Sequence, residues 1–469
     1  MRKFKNVFFL ILFFSLSMRG GSLWAADNYQ KIKPAAYAGY NVIFVSFDAL
    51  QAAHTSCLGY FRKTTPNIDR MAKEGFLFSN AISQSSWTVP ATMSYFTSLY
   101  PSQHKLINKY STYTDREQVL ANLKKLSPEV ITLAEILKEH GYSTGGFTGD
   151  AGVGAVFGFA RGFDTYFEGP KFGGMDKSIP EALAWIKGNS KNKFFVFLHG
   201  YDVHGQFDPP GGFTREFVIP SYRGRLKGGK EEEAVIREKG LENTPVKLND
   251  EDVRFWRALY DEKIKDVDER FGLFIDELQK MGLLENTVIV LFSDHGTEFY
   301  EHKRFDHGFS LYDELIRVPV IFRLPRAKAG MVIKDQVRAI DVMPTLLDLL
   351  GVKVSNKVKG QMQGVSLLRC LNGEHMDLTA FSETDYRLYV NKRAIRTPDG
   401  FKFIYSLDTG MKELYNLKDD PGELDNLVDR QKRLAYEFEQ KLFGWLKGMG
   451  YDESYPQSIL KQVLKIKEY

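Results

Sequence analysis

Acids and imidazoles in this sequence gather just beyond apolar runs. Asp48 follows Val42–Phe47, the group from His199 to His204 follows Phe194–Leu198, and Asp294 with His295 follows Thr287–Phe292. An acid and an imidazole side by side at the end of a buried strand can both face a metal ion, so the Asp294-His295-Gly296 step is the most telling. Asp48 on its own reads as a strand-end turn residue. Thr88 stands in Ser85-Ser86-Trp87-Thr88-Val89-Pro90-Ala91-Thr92, ahead of a helical stretch from Met93 to Leu99. A Thr just ahead of a Pro in a first helical turn reads as the N-cap, and a helix start of that kind also suits an anion. From the local pattern alone, the cap is the stronger reading of Thr88 and a nucleophile the weaker.

The elements that must position these residues alternate apolar runs with helical patterns from Asn41 onward, the signature of a doubly wound, mainly parallel α/β sheet flanked by helices. The three runs named above are short, almost wholly apolar and rich in β-branched or aromatic residues, as strands buried on both faces should be. Ligand sites in such sheets lie beyond the carboxyl ends of the strands, so the three polar groups are expected to converge in one crevice. Gly211 to Glu251, with the charge run Lys230–Glu233, reads as a polar surface insertion. Asp252 to Met281 reads as an amphipathic helix with a core-facing stripe. After Gly351 the composition changes. Short runs between Leu378 and Tyr405, with a turn at Pro398-Asp399-Gly400, suggest a small antiparallel sheet, and a last helix from about Asp429 to Lys447 would pack on it. The expected organisation is a signal peptide over 1–26, a catalytic domain over 27–376 and an α+β subdomain over 377–469.

Read in order, the motifs resemble the sulfatase family of the alkaline phosphatase superfamily. The resemblance is carried by Val45-Ser46-Phe47-Asp48-Ala49-Leu50 through His54 to Gly59-Tyr60, then Thr65-Pro66-Asn67-Ile68-Asp69, Thr88-Val89-Pro90 and Leu99-Tyr100-Pro101-Ser102-Gln103-His104. It continues in His199-Gly200-Tyr201-Asp202-Val203-His204, Ser293-Asp294-His295-Gly296, His307-Gly308, Arg317-Val318-Pro319, Asp341-Val342-Met343-Pro344-Thr345, and Glu413-Leu414-Tyr415-Asn416-Leu417 with Asp420-Pro421-Gly422-Glu423. The resemblance implies one divalent metal ion, whether Mn, Ca, Mg or Zn, held by Asp48, Thr88 Oγ, Asp294 and His295. It makes Thr88 the nucleophile. His204 and His307 would contact the transferred group or protonate the leaving oxygen, and His199 would join them at the substrate or, like Asp202 and His302, only shape the rim.

The departures from the pattern narrow the chemistry. Formylglycine sulfatases need Cys or Ser in C/S-x-P-S-R, whereas Thr88 begins Thr-Val-Pro-Ala-Thr and Thr92 replaces the Arg. Ala49 stands where many sulfatases place a further metal-binding Asp, and Gln51 and Ala53 stand where related sequences carry Arg and Asp. A sulfo-threonine has no internal route of collapse and must be released by water attacking sulfur, which tilts the expectation towards phosphate esters. Hydrolysis of a phosphate or sulfate ester is therefore expected. The alternatives are a sulfatase acting on a sulfated glycan or aryl sulfate without formylglycine, a phospho-group transferase, and a glycan-binding protein without turnover.

Composition bounds the partners. Arg2, Lys3 and Lys5, the apolar stretch Val7–Leu16 and the small residues Ala25 and Ala26 form the three-part layout of a secretory signal, so a periplasmic or secreted location is expected. The apolar stretch falls short of the ~20 residues a spanning helix needs, so no membrane span is expected after cleavage. Setting aside the basic residues of that segment, basic and acidic side chains balance, which speaks against nucleic acid as a partner and leaves a small-molecule, glycan or lipid ester substrate. Cys57 and Cys370 are too few for a disulfide framework.

Overall fold

Apolar residues on both faces of Asn41–Phe47 leave that segment one stable setting, the middle of a sheet covered on both sides. In the computed structural model, which describes residues 31–107, 125–149, 151–170, 172–205, 216–218, 222–241, 245–327, 330–386 and 390–450, it is strand β1. The expected signal peptide lies outside the described residues. Strands β2 (Phe76–Ile82), β3 (Ser143–Thr148), β4 (Thr165–Glu168), β5 (Phe194–Gly200) and β6 (Thr287–Ser293) follow. A two-stranded ribbon of β7 (Glu298–Phe299) and β8 (Phe305–Asp306) precedes β9 (Arg317–Arg323), β10 (Met331–Ile333) and β11 (Val337–Arg338).

The large sheet runs β10-β2-β9-β6-β1-β5-β3-β4, with β11 also on β2. Its pairings are parallel except those of β9, which runs against both β2 and β6. The expected convergence is met: the three apolar runs are the adjacent strands β5, β1 and β6. They end level, with Phe47 opposite Gly200 on one side and Ser293 on the other. Alternate side chains feed two cores. Val42 and Phe44 join Val89, Met93, Phe96 and Leu346 from the helices Thr88–Thr97 and Val342–Leu350. Ile43, Val45 and Phe47 join Ile68, Ile186, Trp256, Ile264 and Phe271 on the other face.

Most of that second cover is the helix Asp250–Lys280, which begins two residues before the sequence suggested because Asn249 and Asp252 close a capping box. Among its described residues, the insertion expected over Gly211–Glu251 is not polar and exposed throughout, which corrects the expectation. Its charge run opens a helix, Lys230–Leu241, with Glu231, Glu232 and Glu233 in the first turn, where the helix dipole favours acids. Leu226 and Ile236 are buried in the second core.

At the C-terminal end, β12 (Ala380–Tyr386), β13 (Val390–Arg396), β14 (Phe401–Ser406) and β15 (Lys412–Asn416) form the expected antiparallel sheet, a meander that runs on beyond Tyr405. The helix Lys432–Gly448 lays Phe438, Leu442 and Leu446 on Ile395, Phe403 and Leu414. The opposite face packs Ala380, Ala394 and Ile404 against Leu311, Leu315 and Ile316. Cys57 and Cys370 are free thiols.

Candidate active site

Each strand of the central trio delivers an ionisable group at its carboxyl end, and all of these groups are buried. Asp48 leaves β1, His199 is the penultimate residue of β5, and Asp294 and His295 follow β6. Asp294 is locked in place: its Oδ1 accepts the amides of Ala49 and His295, at 3.2 and 2.9 Å, and its Oδ2 accepts Thr92 Oγ1 at 3.4 Å. Ala49 sits at φ 58, a left-handed conformation that costs an alanine about 1–2 kcal/mol and turns its amide onto the carboxylate. Tyr260 fixes this turn by donating to Ala49 O at 2.7 Å while accepting the Gln51 amide at 2.8 Å.

Thr88 opens the helix Thr88–Thr97, and the capping position belongs to Trp87, with no side-chain cap. The local N-cap reading is thereby corrected. Instead of capping, Thr88 Oγ1 donates to Asp48 Oδ2 at 3.2 Å and lies 3.3 Å from His295 Nε2. His295 Nδ1 is 2.7 Å from Gly296 O, so that nitrogen carries the proton and Nε2 presents a lone pair to Thr88. Gly152 presses on Thr88 from the far side, where a Cβ would come within 2.9 Å of both Thr88 Cβ and Cγ2.

The electrostatics of this pocket call for a cation. Burial, reinforced by Asp294, pushes the Asp48 carboxyl well above the usual range, and burial also raises Asp294. Burial pulls His199 down to about 4 and His295 well below an ordinary imidazole, so both rings are neutral and able to ligate. Asp48 Oδ1 and both ring nitrogens of His199 have no hydrogen-bond partner among the described residues. Ligand atoms of Asp48, His199 and Asp294 all lie within 4.8 Å of one another. Two buried carboxylates beside unprotonated imidazole nitrogens are a donor set that suits a divalent ion.

The third wall comes from the ribbon β7–β8. His307 lies between two left-handed residues, Asp306 at φ 80 and Gly308 at φ 91, and its ring is 4.4 Å from that of His295 and 5.0 Å from that of His204. His307 Nδ1 is 2.5 Å from Asp306 Oδ1. Burial would raise Asp306, but His307 and then Arg237 hold its carboxyl well below the usual range. His204 stacks on Phe172 at 5.2 Å, and burial holds it neutral at about 3.

The profile of the sulfatase family matches residues 40–352 of the chain, more than half its length. The chain belongs to the sulfatase family. A second profile, the C-terminal region of N-sulphoglucosamine sulphohydrolase, matches residues 300–446. Among curated relatives, an N-acetylglucosamine-6-O-sulfatase of Bacteroides thetaiotaomicron is 26% identical, covering 83% of each chain. A Delta 4,5-hexuronate-2-O-sulfatase of the same organism is 24% identical, covering 84% of this chain and 85% of the relative. Two solved structures share the fold. One is a protein in complex with its substrate D-glucosamine-2-N,6-O-disulfate, with TM-score 0.69 and 22% identity over 88% of this chain and 99% of that one. The other is the phosphonate monoester hydrolase of Agrobacterium radiobacter, with TM-score 0.68 and 20% identity over 87% of this chain and 96% of that one. Membership makes this chain an ester hydrolase of the sulfatase type.

Within this sulfatase-family site, the structure gathers Asp48, Thr88, His199, Asp294, His295, His204 and His307. His199 sits at the floor, fully buried, and not at the rim. Asp202 and His302 hold backbone and side chains elsewhere. Asp202 accepts the Met175 amide at 2.8 Å. His302 lies 2.7 Å from Glu314 and 3.1 Å from Glu423 O through its two nitrogens, so both are donors and the ring is an imidazolium. Burial would lower it, but Glu314 holds it up at about 9. His302 is therefore no metal ligand, although Glu298, His302 and Glu314 cluster tightly. Asp306 and Arg237 were not singled out from sequence. Asp306 adjoins His307 in the chain, but its partner lies in a distant segment.

Proposed function

We propose that this sulfatase-family enzyme hydrolyses a phosphate or sulfate ester by way of a covalent adduct on Thr88, with phosphate esters favoured. The observation that carries the reading is the direction of the Thr88 hydroxyl, turned away from capping and held between Asp48 Oδ2 and His295 Nε2. A single divalent ion held by Asp48, Thr88, Asp294 and His295, with His199 within reach, would supply Lewis acidity to the hydroxyl and to the oxygens of the transferred group. Thr88 Oγ1 forms a bond to phosphorus or sulfur as the ester oxygen leaves. His307 delivers the proton of the departing oxygen, while His204, held neutral, contacts the transferred group. Nδ1 of His307 lies against Asp306 Oδ1, which leaves Nε2 as the atom to meet substrate. Water then cleaves the Thr88 adduct. Water is obligatory for either adduct because threonine offers no aldehyde to collapse into, and attack at phosphorus is the easier of the two.

A sulfated glycan is the second reading, and the curated relatives support it: they are sulfatases of N-acetylglucosamine and of an unsaturated hexuronate. We further propose export, with cleavage near Ala25 or Ala26, and a boundary near residue 376 between the catalytic and C-terminal parts. Mass spectrometry of natively expressed protein tests the cleavage and expects a start at Ala26 or Asp27. The chemistry is tested by comparing aryl sulfate, aryl phosphate, phosphodiester and phosphonate turnover with Mn, Mg, Ca or Zn added. Thr88→Ala is expected to fold yet lose turnover by orders of magnitude, whereas Thr88→Ser retains measurable activity. A folded, metal-loaded Thr88→Ala protein with near wild-type rates would make a water molecule the attacker.

A further inference from the structure

The helix Lys230–Leu241 reaches the wall of the active site. Arg237 Nη1 lies 3.0 Å from Asp306 Oδ2, and the other oxygen of that carboxylate faces His307 Nδ1 at 2.5 Å. Asp306 is buried, with side-chain exposure of 4%, and it is held at φ 80. An acid is one of the few residue types that tolerates such a conformation, and here the conformation turns one carboxylate to two partners. Gly308, at φ 91, closes the other side, where a Cβ would strike the Tyr386 ring at 2.6 Å. His307 therefore has its backbone fixed on both sides and one ring nitrogen in close contact with a buried carboxylate.

We propose that Asp306 and Arg237 are positioning residues for the reaction. Asp306 holds the direction of His307 and Arg237 fixes Asp306, so that the helix Lys230–Leu241 sets the geometry of the chemical step. This rests on the reading of His307 given above. Without Arg237, the carboxylate loses its second partner and can swing, and the imidazole loses its fixed direction. A guanidinium suits this task because it is always charged and directional. Partners that act through another side chain in this way are typically worth ~10–100-fold. If the pair merely braced the fold, its removal would lower stability but leave the contribution of His307 intact.

The test is a double-mutant cycle on the full chain, using whichever of 4-nitrophenyl sulfate, 4-nitrophenyl phosphate and bis(4-nitrophenyl) phosphate wild type turns over fastest. Arg237→Ala and Asp306→Asn are each expected to lower kcat by ~10–100-fold with KM within about twofold, and Arg237→Lys to restore most of the loss. Asn also tolerates the left-handed backbone at 306, so that variant remains informative if Arg237→Ala folds poorly. In a His307→Ala background, Arg237→Ala should add no further loss. Near wild-type kcat in both single variants, or a full additional loss in the His307→Ala background, overturns the proposal while leaving the site intact. Unchanged turnover in His307→Ala alone overturns the reading of His307 itself and this proposal with it.

Discussion

Thr88 illustrates how little freedom a single side chain has once its neighbours are placed. Its hydroxyl is directed by Asp48 and His295, and its methyl side is confined by Gly152. In Gly152→Ala, the added methyl first meets Thr88 Cβ and Cγ2, both 2.9 Å away and close to the backbone, with Tyr201 Oη next at 3.2 Å. Overpacking of this kind costs about 1–3 kcal/mol, and a displacement approaching 1 Å at a reacting atom can cost ~100-fold in rate. We therefore expect Gly152→Ala to melt only a few degrees below wild type while kcat falls by ~10–100-fold, a disproportion that paired calorimetry and kinetics would reveal. Equal losses of fold and activity would mean that the loop has no special bearing on Thr88.

The helix Thr88–Thr97 is itself held by a titratable residue that plays no part in the chemistry. His104 accepts the Leu106 amide at Nδ1, at 3.1 Å, and its Nε2 lies 3.2 Å from Pro90 O, so the fold uses the neutral ring. Burial lowers its pKa to about 3, against 6.5 for a free imidazole. The unfolded chain thus binds a proton here that the native chain refuses, and stability present above pH 6.5 is lost as pH falls towards 3, with a slope of up to ~1.4 kcal/mol per pH unit. Urea titrations between pH 7 and 4 should show this decline, and His104→Asn should flatten it. The sequence made the carboxyl ends of β1, β5 and β6 legible because continuous apolar runs have no other use at that length. The reversed direction of β9 was not legible, since apolar composition is the same for either direction. The helix Lys230–Leu241 was hidden by its charges, with little beyond Ile236 of its apolar content reaching the core. The local pattern around Thr88 points to a cap because a capping threonine and a first-turn threonine differ by one residue of register. The part played by Asp306 depends on a φ and a partner that no local pattern encodes.

Across the whole molecule, the C-terminal meander is joined to the catalytic part by buried charge as well as by apolar contact. Lys402 is fully buried, with Nζ 2.9 Å from both Asp313 and Glu423, and Arg396 reaches Asp313 at 3.0 Å. Removing the lysine strands the buried Glu423 and leaves Asp313 with Arg396 alone, so Lys402→Met is expected to destabilise by about 3–5 kcal/mol in denaturant titrations. A single ion is expected per chain by elemental analysis, and removing it with chelator should lower the melting temperature until Ca, Mn, Mg or Zn is restored. Two tightly held ions would contradict the donor set described above. The placement of β1 between β5 and β6 also bears on how the chain is made. Its partners lie far along the sequence, as the links from Asn41 to Phe194 and Thr287 show, 153 and 246 residues away. While the ribosome is still at work, the seven-residue strand Asn41–Phe47 emerges early with both edges open and an apolar sequence suited to sticking to other chains. Synthesis halted before Thr287 would leave one of those edges permanently exposed, so prematurely terminated chains of this protein should be recovered as aggregates and not as a stable half-molecule.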